Sequence, residues 1–600
     1  MQNNQNVNKV AEQIDNAFKK HNISVNNNDA VLQITAIQAL SLRGQLPDGI
    51  KLNSSIAENK DRWLALLDSL KNSEDKQVAR AFCNTDILTQ LPISSVHEVV
   101  QKLISIPEQD FDQLTQMLMV SMINKNTGNS QNAIYYAHIS LYKLIAAILG
   151  NLQKKGVYVT STATLPLCSM ISEQNNQVCY EYIAHNQMLA DIISLISPSR
   201  FKVSYSDHLS FPSYVTTEGE LEQFDYGVSF SPMGARFLSK NAENDKYGRY
   251  EVLPKKIETA DIMHLIKQCS EKVIITVSEG ILFSSMEKPI RQYLIDKGMV
   301  KTVISLPSSI WTGTGVKTSM LILDPKGGND QVRFVDLSES EFVDKTTNRW
   351  LVGLTDIEGI LSHIESDNET DYALSVDRQN IIDKDYALYS TAYILSSEEK
   401  KVQSIIAKSE TDNLDSLVRF ERGLPFNADE GYYTVLEVGA SEIEDIGDIA
   451  IPTKEVNISE AVRAKNEAGF LQPNDIVMIL KGSAGKLGIV PESVPTTGDK
   501  RWTVNKSAIV IRVTSSKIDP RALYTYLRSD FGTVQISRLI KGATIANISL
   551  KELKQMPIII PSDDEKNEAI ACTQKSRETQ QTIQKLLSEQ EARQSKLWKL

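Results

Sequence analysis

From about Val157 the chain changes texture, and that change constrains the fold more than any other feature. Short apolar runs ("GVYVTST", "RFKVSYSD", "FDYGVSF", "KVIITVS", "VKTVISL", "TSMLILD") alternate with helical segments such as "EYIAHNQMLADIISLI" and "MEKPIRQYLIDKG". Strand, helix, strand at this spacing predicts a mostly parallel sheet covered by helices, since each amphipathic helix needs a sheet face to bury its stripe.

The flanking regions differ from this pattern. The first ~150 residues read as helical, with apolar residues three and four apart in "DAVLQITAIQALSLRG", "VHEVVQKLISI", "FDQLTQMLMVSMI" and "ISLYKLIAAILGNLQ". The polar stretch "NKNTGNSQN" reads as a loop. From Leu414 the pattern turns β-rich, and after "MPIIIP" a charged, Gln-rich helix runs to the end. Its sparse apolar positions (Ile570, Ile583, Leu586, Leu587, Leu597, Leu600) suggest a short packing stripe in preference to a solvated helix. A chain of 600 residues exceeds one core. The expected segments are 1–130 (helical), 131–340 (α/β), 341–413 (connecting), 414–562 (α+β) and 563–600 (long helix).

Composition excludes some functions. Hydrophobic content of 41% and charged content of 23% suit an ordinary globular protein. No apolar run approaches the ~20 residues of a membrane span. The start, "MQNNQNVNKVAEQ", lacks the regions of a signal peptide, so a cytoplasmic location and no membrane partner are expected. The five cysteines form no CxxC or Cys/His cluster and read as buried reduced thiols, with no metal. A net charge of −11 argues against non-specific coating of nucleic acid, but a local basic groove would suffice for DNA. There is no Walker-type signature, which argues against translocation.

A family resemblance enters at "VSEGILFSSMEKPIRQYLIDKGMVKTVISLPSSIWTGTGVKTSMLILD". Gly280 to Phe283, Glu287, Ile290, Arg291, Leu306, Pro307, Ile310, Trp311 and Thr318 resemble the modification (methyltransferase) subunit of type I restriction-modification systems. "DKDYALYSTAYI" resembles the end of that part, and the likeness spans roughly residues 130 to 395. "LQPNDIVMILKGSAGKLGIV" and "IKGATIANISLKELKQMPIIIPSDDEKNEAI" are similar to the specificity subunit of the same systems. The resemblance implies a Rossmann-like methyltransferase fold fused to one target-recognition domain and a long helix.

It also implies a chemistry whose parts are altered here. The family has a glycine-rich turn after its first strand, where the backbone approaches S-adenosylmethionine closely. The matching stretch is "VYVTSTATLPLC", with Val159 at the acidic position and Ala163, Leu165 and Pro166 where glycines belong. The family's adenine clamp, Asn-Pro-Pro-Phe, maps onto Phe230, Ser231, Pro232 and Met233 in "FDYGVSFSPMGARF". Phe230 offers no side-chain acceptor to the adenine amino group, and Met233 replaces the stacking ring. Only Pro232 and Gly234 match the family there. Glu181 and Asp207 fall where the family's cofactor-binding carboxylates would, and they read as surface or capping carboxylates.

The expectation is therefore a degenerate N6-adenine methyltransferase with no cofactor, S-adenosylmethionine binding only if the site is divergent but active. The recognition domain would read double-stranded DNA, with Lys481, Lys486, Arg501, Lys506, Arg538 and Lys541 as candidate contacts; taken singly, each could equally be ordinary surface charge. Expected partners are DNA, a second copy through the C-terminal helix, and other restriction or phage-defence subunits. A scaffold serving protein contacts alone stays open as an alternative.

Overall fold

A computed structural model describes residues 27–107, 111, 114–115, 135–172, 177–182, 188–197, 199–338, 340–344, 351–425, 433–446, 448–541 and 546–597. The N-terminal stretch, the expected loop "NKNTGNSQN" and most of "FDQLTQMLMVSMI" lie outside the described residues. The chain divides into two compact units, Met1–Ile394 and Leu395–Leu600. Among the described residues no helix is long and apolar enough to cross a membrane.

The first unit begins with helices, among them α1 (Asn27–Leu42), α2 (Lys60–Lys71), α3 (Lys76–Ala81) and α4 (Ile93–Ile104). Residues Ala30 to Leu40 of α1 are all buried, as expected of a helix apolar all round. Further helices are α5 (Ile139–Leu149), α6 (Leu165–Ser172) and α7 (Leu189–Ile196). Arg43 donates to the Leu195 and Ile196 carbonyls, 3.0 Å each, which the end of α7 leaves without helical partners. Arg80 of α3 holds Asp191 of α7 with two bonds of 2.9 and 3.0 Å. The helical region thus shares one continuous core with the sheet that follows.

That sheet has nine strands: β1 (Val157–Thr160), β2 (Val178–Glu181), β3 (Lys202–Ser204), β4 (Phe224–Phe230), β5 (Cys269–Ser278), β6 (Val300–Ser305), β7 (Thr318–Leu323), β8 (Gln331–Asp336) and β9 (Ala373–Asp377). Their order is β9-β8-β6-β7-β5-β4-β1-β2-β3. Only β7 and β9 run antiparallel to their neighbours. Helices cover both faces, so β1 and β7 are wholly buried and read as unbroken apolar runs. One face carries the N-terminal core, and the other packs α8 (Ile257–Gln268). Gly227 is required under α8, since a Cβ there would lie 2.7 Å from Cys269 Sγ. Residues from the stretch expected as a connecting region instead supply the sheet's edge strand β9 and the helix α9 (Ile357–Glu365). Their polar texture reflects an edge position with one side in solvent.

The second unit is α+β. A four-stranded sheet, order β10-β16-β13-β14, joins β10 (Val418–Glu421), β13 (Ile476–Ile479), β14 (Leu487–Ile489) and β16 (Ala508–Val513). A three-stranded sheet joins β11 (Tyr433–Val438), β12 (Glu455–Ile458) and β15 (Trp502–Val504). Helices α10 (Pro520–Arg528) and α11 (Asp530–Leu539) pack on the four-stranded sheet, followed by α12 (Asp563–Leu597). The first part of α12 is docked: Thr573 bonds Thr525 at 3.0 Å, and Arg577 reaches Asp448, Glu492 and Asn474. Further along, Ile583, Leu586 and Leu587 are exposed. Cysteines Cys168, Cys179 and Cys269 are buried thiols, but Cys83 and Cys572 are exposed, against the expectation for all five, because Cys83 lies in the bend after α3 and Cys572 on the solvent-facing side of α12.

Candidate functional site

Strand order reverses between β1 and β4, and in open α/β sheets ligands bind beyond the carboxyl ends of the strands at such a switch point. The residues there come from the turn after β1, the end of β2, the loop after β3 and the end of β4.

The turn after β1 contains no glycine. Ser161 takes the left-handed conformation, φ +73°, and a short 3-10 turn, Thr162–Thr164, leads into α6. Neither Ala163, Leu165 nor Pro166 has a positive φ. Leu165 and Pro166 form the first turn of α6, a place where proline loses nothing, and Val159 lies inside β1. The turn is sewn to β4. Ser161 Oγ donates to the Phe230 carbonyl at 2.6 Å, and the Phe230 N–H donates to Thr164 Oγ1 at 2.8 Å. The Phe230 ring is 2% exposed, 5.3 Å from the Tyr142 ring and 5.1 Å from Trp311. Tyr142 closes the circuit by donating to the Ala163 carbonyl at 2.8 Å.

Beside this plug lies a buried polar network. The expectation of a surface carboxylate fails at Glu181, which is fully buried. It accepts from Tyr158 Oη at 2.8 Å and from the N–H and Oγ of Ser213. Tyr158 shares a 3.0 Å bond with His264 Nε2, and Arg249 approaches His264 Nδ1 at 3.0 Å. Arginine can only donate, so His264 Nδ1 accepts and its Nε2–H points to Tyr158. Burial, then the charges of His208 and Arg249, push the His264 pKa well below the imidazole range, consistent with that neutral ring. Asp261 receives His208 Nε2 at 2.6 Å, Ser229 at 3.3 Å and Ser231. Asp207 is half-buried and accepts the Leu209 N–H at 3.2 Å, a turn-capping role. Pro232 and Met233 are partly buried, and Met233 packs on the core. Sequence reading missed Tyr158, His208, Arg249, Asp261 and His264. Asp261 and His264 sit one turn apart on α8, but Tyr158, His208 and Arg249 come from β1 and two loops and share no local spacing with them.

In the second unit the candidate contacts separate into two groups. Lys481 and Lys506 are exposed. Lys481 begins a turn in which Gly482 and Gly485 have φ of +84° and +88°. Lys486 donates to the Ala440 carbonyl at 2.9 Å, and Arg538 pairs with Glu399 at 3.5 Å. Arg501 is not available as a surface contact: it is 6% exposed, bonds Glu467 at 2.6 and 3.0 Å, and lies 3.8 Å over the Phe470 ring. The Lys541 side chain lies outside the described residues.

A parallel sheet with this reversal and one antiparallel strand within it is the sheet topology of the class I methyltransferase fold. The crystal structure of a type I restriction-modification methyltransferase subunit from Streptococcus thermophilus shares this fold. It has a TM-score of 0.51 and 17% identity, covering 66% of this chain and 99% of that one. Residues 119–402 match the N-6 DNA Methylase family, and residues 427–593 match the type I restriction modification DNA specificity domain. The chain is therefore an N-6 DNA methylase domain fused to a type I specificity domain, homologous to type I methylase subunits. The MpnII methylase subunit of Mycoplasma pneumoniae, a type I restriction enzyme component, is 30% identical over 174 residues. That match covers 28% of this chain and 31% of the relative, under a third of its length.

The methylase family implies S-adenosylmethionine, and the residues present do not fit it in the family's pose. Where that pose needs bare backbone, Ser161 and Thr164 point their hydroxyls into bonds with β4. The two oxygens of Glu181 are already taken by Tyr158 and Ser213.

Proposed function

We propose that this chain is a non-catalytic, sequence-specific double-stranded DNA-binding component of a cytoplasmic restriction-modification-like or phage-defence complex. The carrying observation is the end of β1 and β4, where the Phe230 ring is buried against Tyr142 and Trp311 and Ser161 and Thr164 bond its backbone. A missing adenine acceptor and a blocked cofactor turn together remove both halves of methyl transfer, and neither has a substitute nearby. The methylase fold then serves as a clasp on DNA or on a partner subunit. Residues 414–562 act as the reader, with Lys481 and Lys506, both exposed, meeting phosphates or base edges.

One reader covers one half-site. Ile583, Leu586 and Leu587, exposed on the undocked part of α12, would pair two chains and give a two-fold bipartite site. Sedimentation with duplex should show a dimer; a monomer on DNA at micromolar concentration would remove this part.

Calorimetric titration with S-adenosylmethionine, with and without duplex, tests the main reading. No heat is expected in either, and selection from a random duplex library should yield a defined sequence. The competing reading is an active N6-adenine methyltransferase with a divergent site. Micromolar cofactor binding with methyl transfer to duplex would establish it.

A further inference from the structure

The opposite edge of the nine-stranded sheet holds a cavity of about 290 Å³. Its floor is one cross-strand row. Ile322 of β7, Thr302 of β6, Arg333 of β8 and Ser375 of β9 are successive register partners, so their side chains share a face. Helices α5 and α9 wall it with Ile148 and Ile364. It lies at the starting ends of β6 and β8, whereas the crevice lies at the finishing ends of β1 and β4.

Three cations face this space. Arg333 is 6% exposed, and its guanidinium donates to the carbonyls of His363 (2.9 Å) and Asn368 (2.7 Å) and to Ser375 Oγ (3.4 Å). Lys272 is half-buried and donates to the Ile148 carbonyl at 2.8 Å. Lys301 is exposed beside a register shift in β6. None of the three forms an ion pair among the described residues, although the chain has 75 acidic side chains for 64 basic ones. Glu365 and Asp367 stand at the rim, exposed. Burial first, and then the charge of Lys301, hold Lys272 below the usual lysine range against the opposing pull of Glu365 and Glu271, and burial does the same to Arg333 against that of Asp367. Lys301 and Lys272 therefore repel each other in a partly desolvated space that Arg333 also lines, an arrangement that an anionic ligand would relieve.

We propose that this cavity binds a small phosphate-bearing metabolite, its phosphate received by Lys272, Lys301 and Arg333. A dianion matches three converging cations better than a carboxylate does, and arginine with lysine is the usual phosphate pair. The volume is near the lower end of small-molecule sites, roughly 300 Å³, and excludes a duplex. Thr302 and the isoleucine wall would hold the remainder of the molecule.

Calorimetry on the full chain with inorganic phosphate and with adenosine 5′-monophosphate tests this, alongside Lys301→Ala and Lys272→Met. Saturable binding is expected, weakened at least about tenfold by either substitution, a loss of about 1.4 kcal/mol. Tighter binding of the nucleotide identifies a metabolite site, and equal binding identifies a site for phosphate itself; both support phosphate recognition. No heat from either probe overturns it, as does heat that both variants leave unchanged. Lys301 is exposed, so its variant should keep the parent's thermal transition and serve as the folding control.

Discussion

Two turns with left-handed residues, one in each unit, have taken opposite courses. After β1 the left-handed residue is Ser161, 4% exposed, and its side chain bonds the neighbouring strand. Between β13 and β14 the left-handed residues are Gly482 and Gly485, beside the exposed Lys481. A Cβ on Gly482 would meet nothing within 4 Å, while one on Gly485 would lie 3.1 Å from Ile536 and 3.2 Å from Ile540. The first turn has exchanged backbone access for internal hydrogen bonds. The second has glycines beside an exposed lysine, with its backbone N–H groups also bonded within the unit: Gly482 donates to the Ala546 carbonyl and Gly485 to the Ile479 carbonyl, 2.9 Å each. What distinguishes the second turn is low side-chain bulk beside an exposed cation, so the DNA contact proposed there runs through Lys481 and not through backbone donors.

The largest expected effect concerns buried arginines of the reader. Arg512 bonds Asp475 at 2.6 and 2.9 Å, both buried. Arg512→Ala leaves an unpaired buried carboxylate and should cost about 3–5 kcal/mol in denaturant unfolding. The partner of Arg501 is 67% exposed, so Arg501→Ala should cost only about 1 kcal/mol. Equal losses would mean that Arg501 is as structural as Arg512.

Next comes the plug. Phe230→Ala should destabilise by about 3–5 kcal/mol through lost packing against Tyr142 and Trp311. It should leave S-adenosylmethionine binding undetectable, because Ser161 and Thr164 still bond β4. Cofactor binding by this variant would show that the ring alone closes the crevice and would weaken the contrast between the turns.

The turns themselves should respond with different signs. Gly485→Ala forces a side chain into φ +88° against Ile536, costing about 1–3 kcal/mol by thermal unfolding. Ser161→Gly relieves a strained conformation but loses one hydrogen bond, so the net change should stay within about 1 kcal/mol.

A smaller effect is expected on DNA. Lys481→Ala and Lys506→Ala should each lower the slope of log affinity against log salt by about 0.9, with thermal stability unchanged. Arg501→Ala should leave that slope alone. A slope altered by Arg501→Ala and by neither lysine would reverse the assignment.

The last concerns pH. His264 is held neutral in the folded state, its pKa well below the ordinary value. The unfolded chain therefore takes up that proton first as pH falls. Its contribution is flat above about pH 6.5 and turns destabilising below it. The transition of the methylase unit should fall on acidification from neutral pH, as read by thermal scans. Stability that rises over that window would contradict the neutral ring.

Much of this fold is legible in the sequence. Buried parallel strands need continuous apolar runs, which is why β5, β6 and β7 stand out as "KVIITVS", "VKTVISL" and "TSMLILD". The helical character of the N-terminal stretch and the β-rich second unit are local patterns too. Strand β9 escaped because an edge strand with one wet side has no such run. At the site, the altered residues at Phe230 and Met233 were readable because clamp residues are consecutive.

The buried polar network beside the ends of β1 and β4 was not readable. His208 meets Asp261 across 53 residues and Tyr158 meets His264 across 106, and periodicity carries no information on such pairs. Arg501 looks like any surface arginine until Glu467 and Phe470 are placed beside it. Glu181 looks like a strand-end carboxylate until Tyr158 and Ser213 take both its oxygens. The sequence alone determined the order of strands and helices along the chain, because these depend on side chains adjacent along the chain. Tertiary structure decided which polar groups remain free, because a hydrogen bond depends on distance in space and takes no account of separation in sequence.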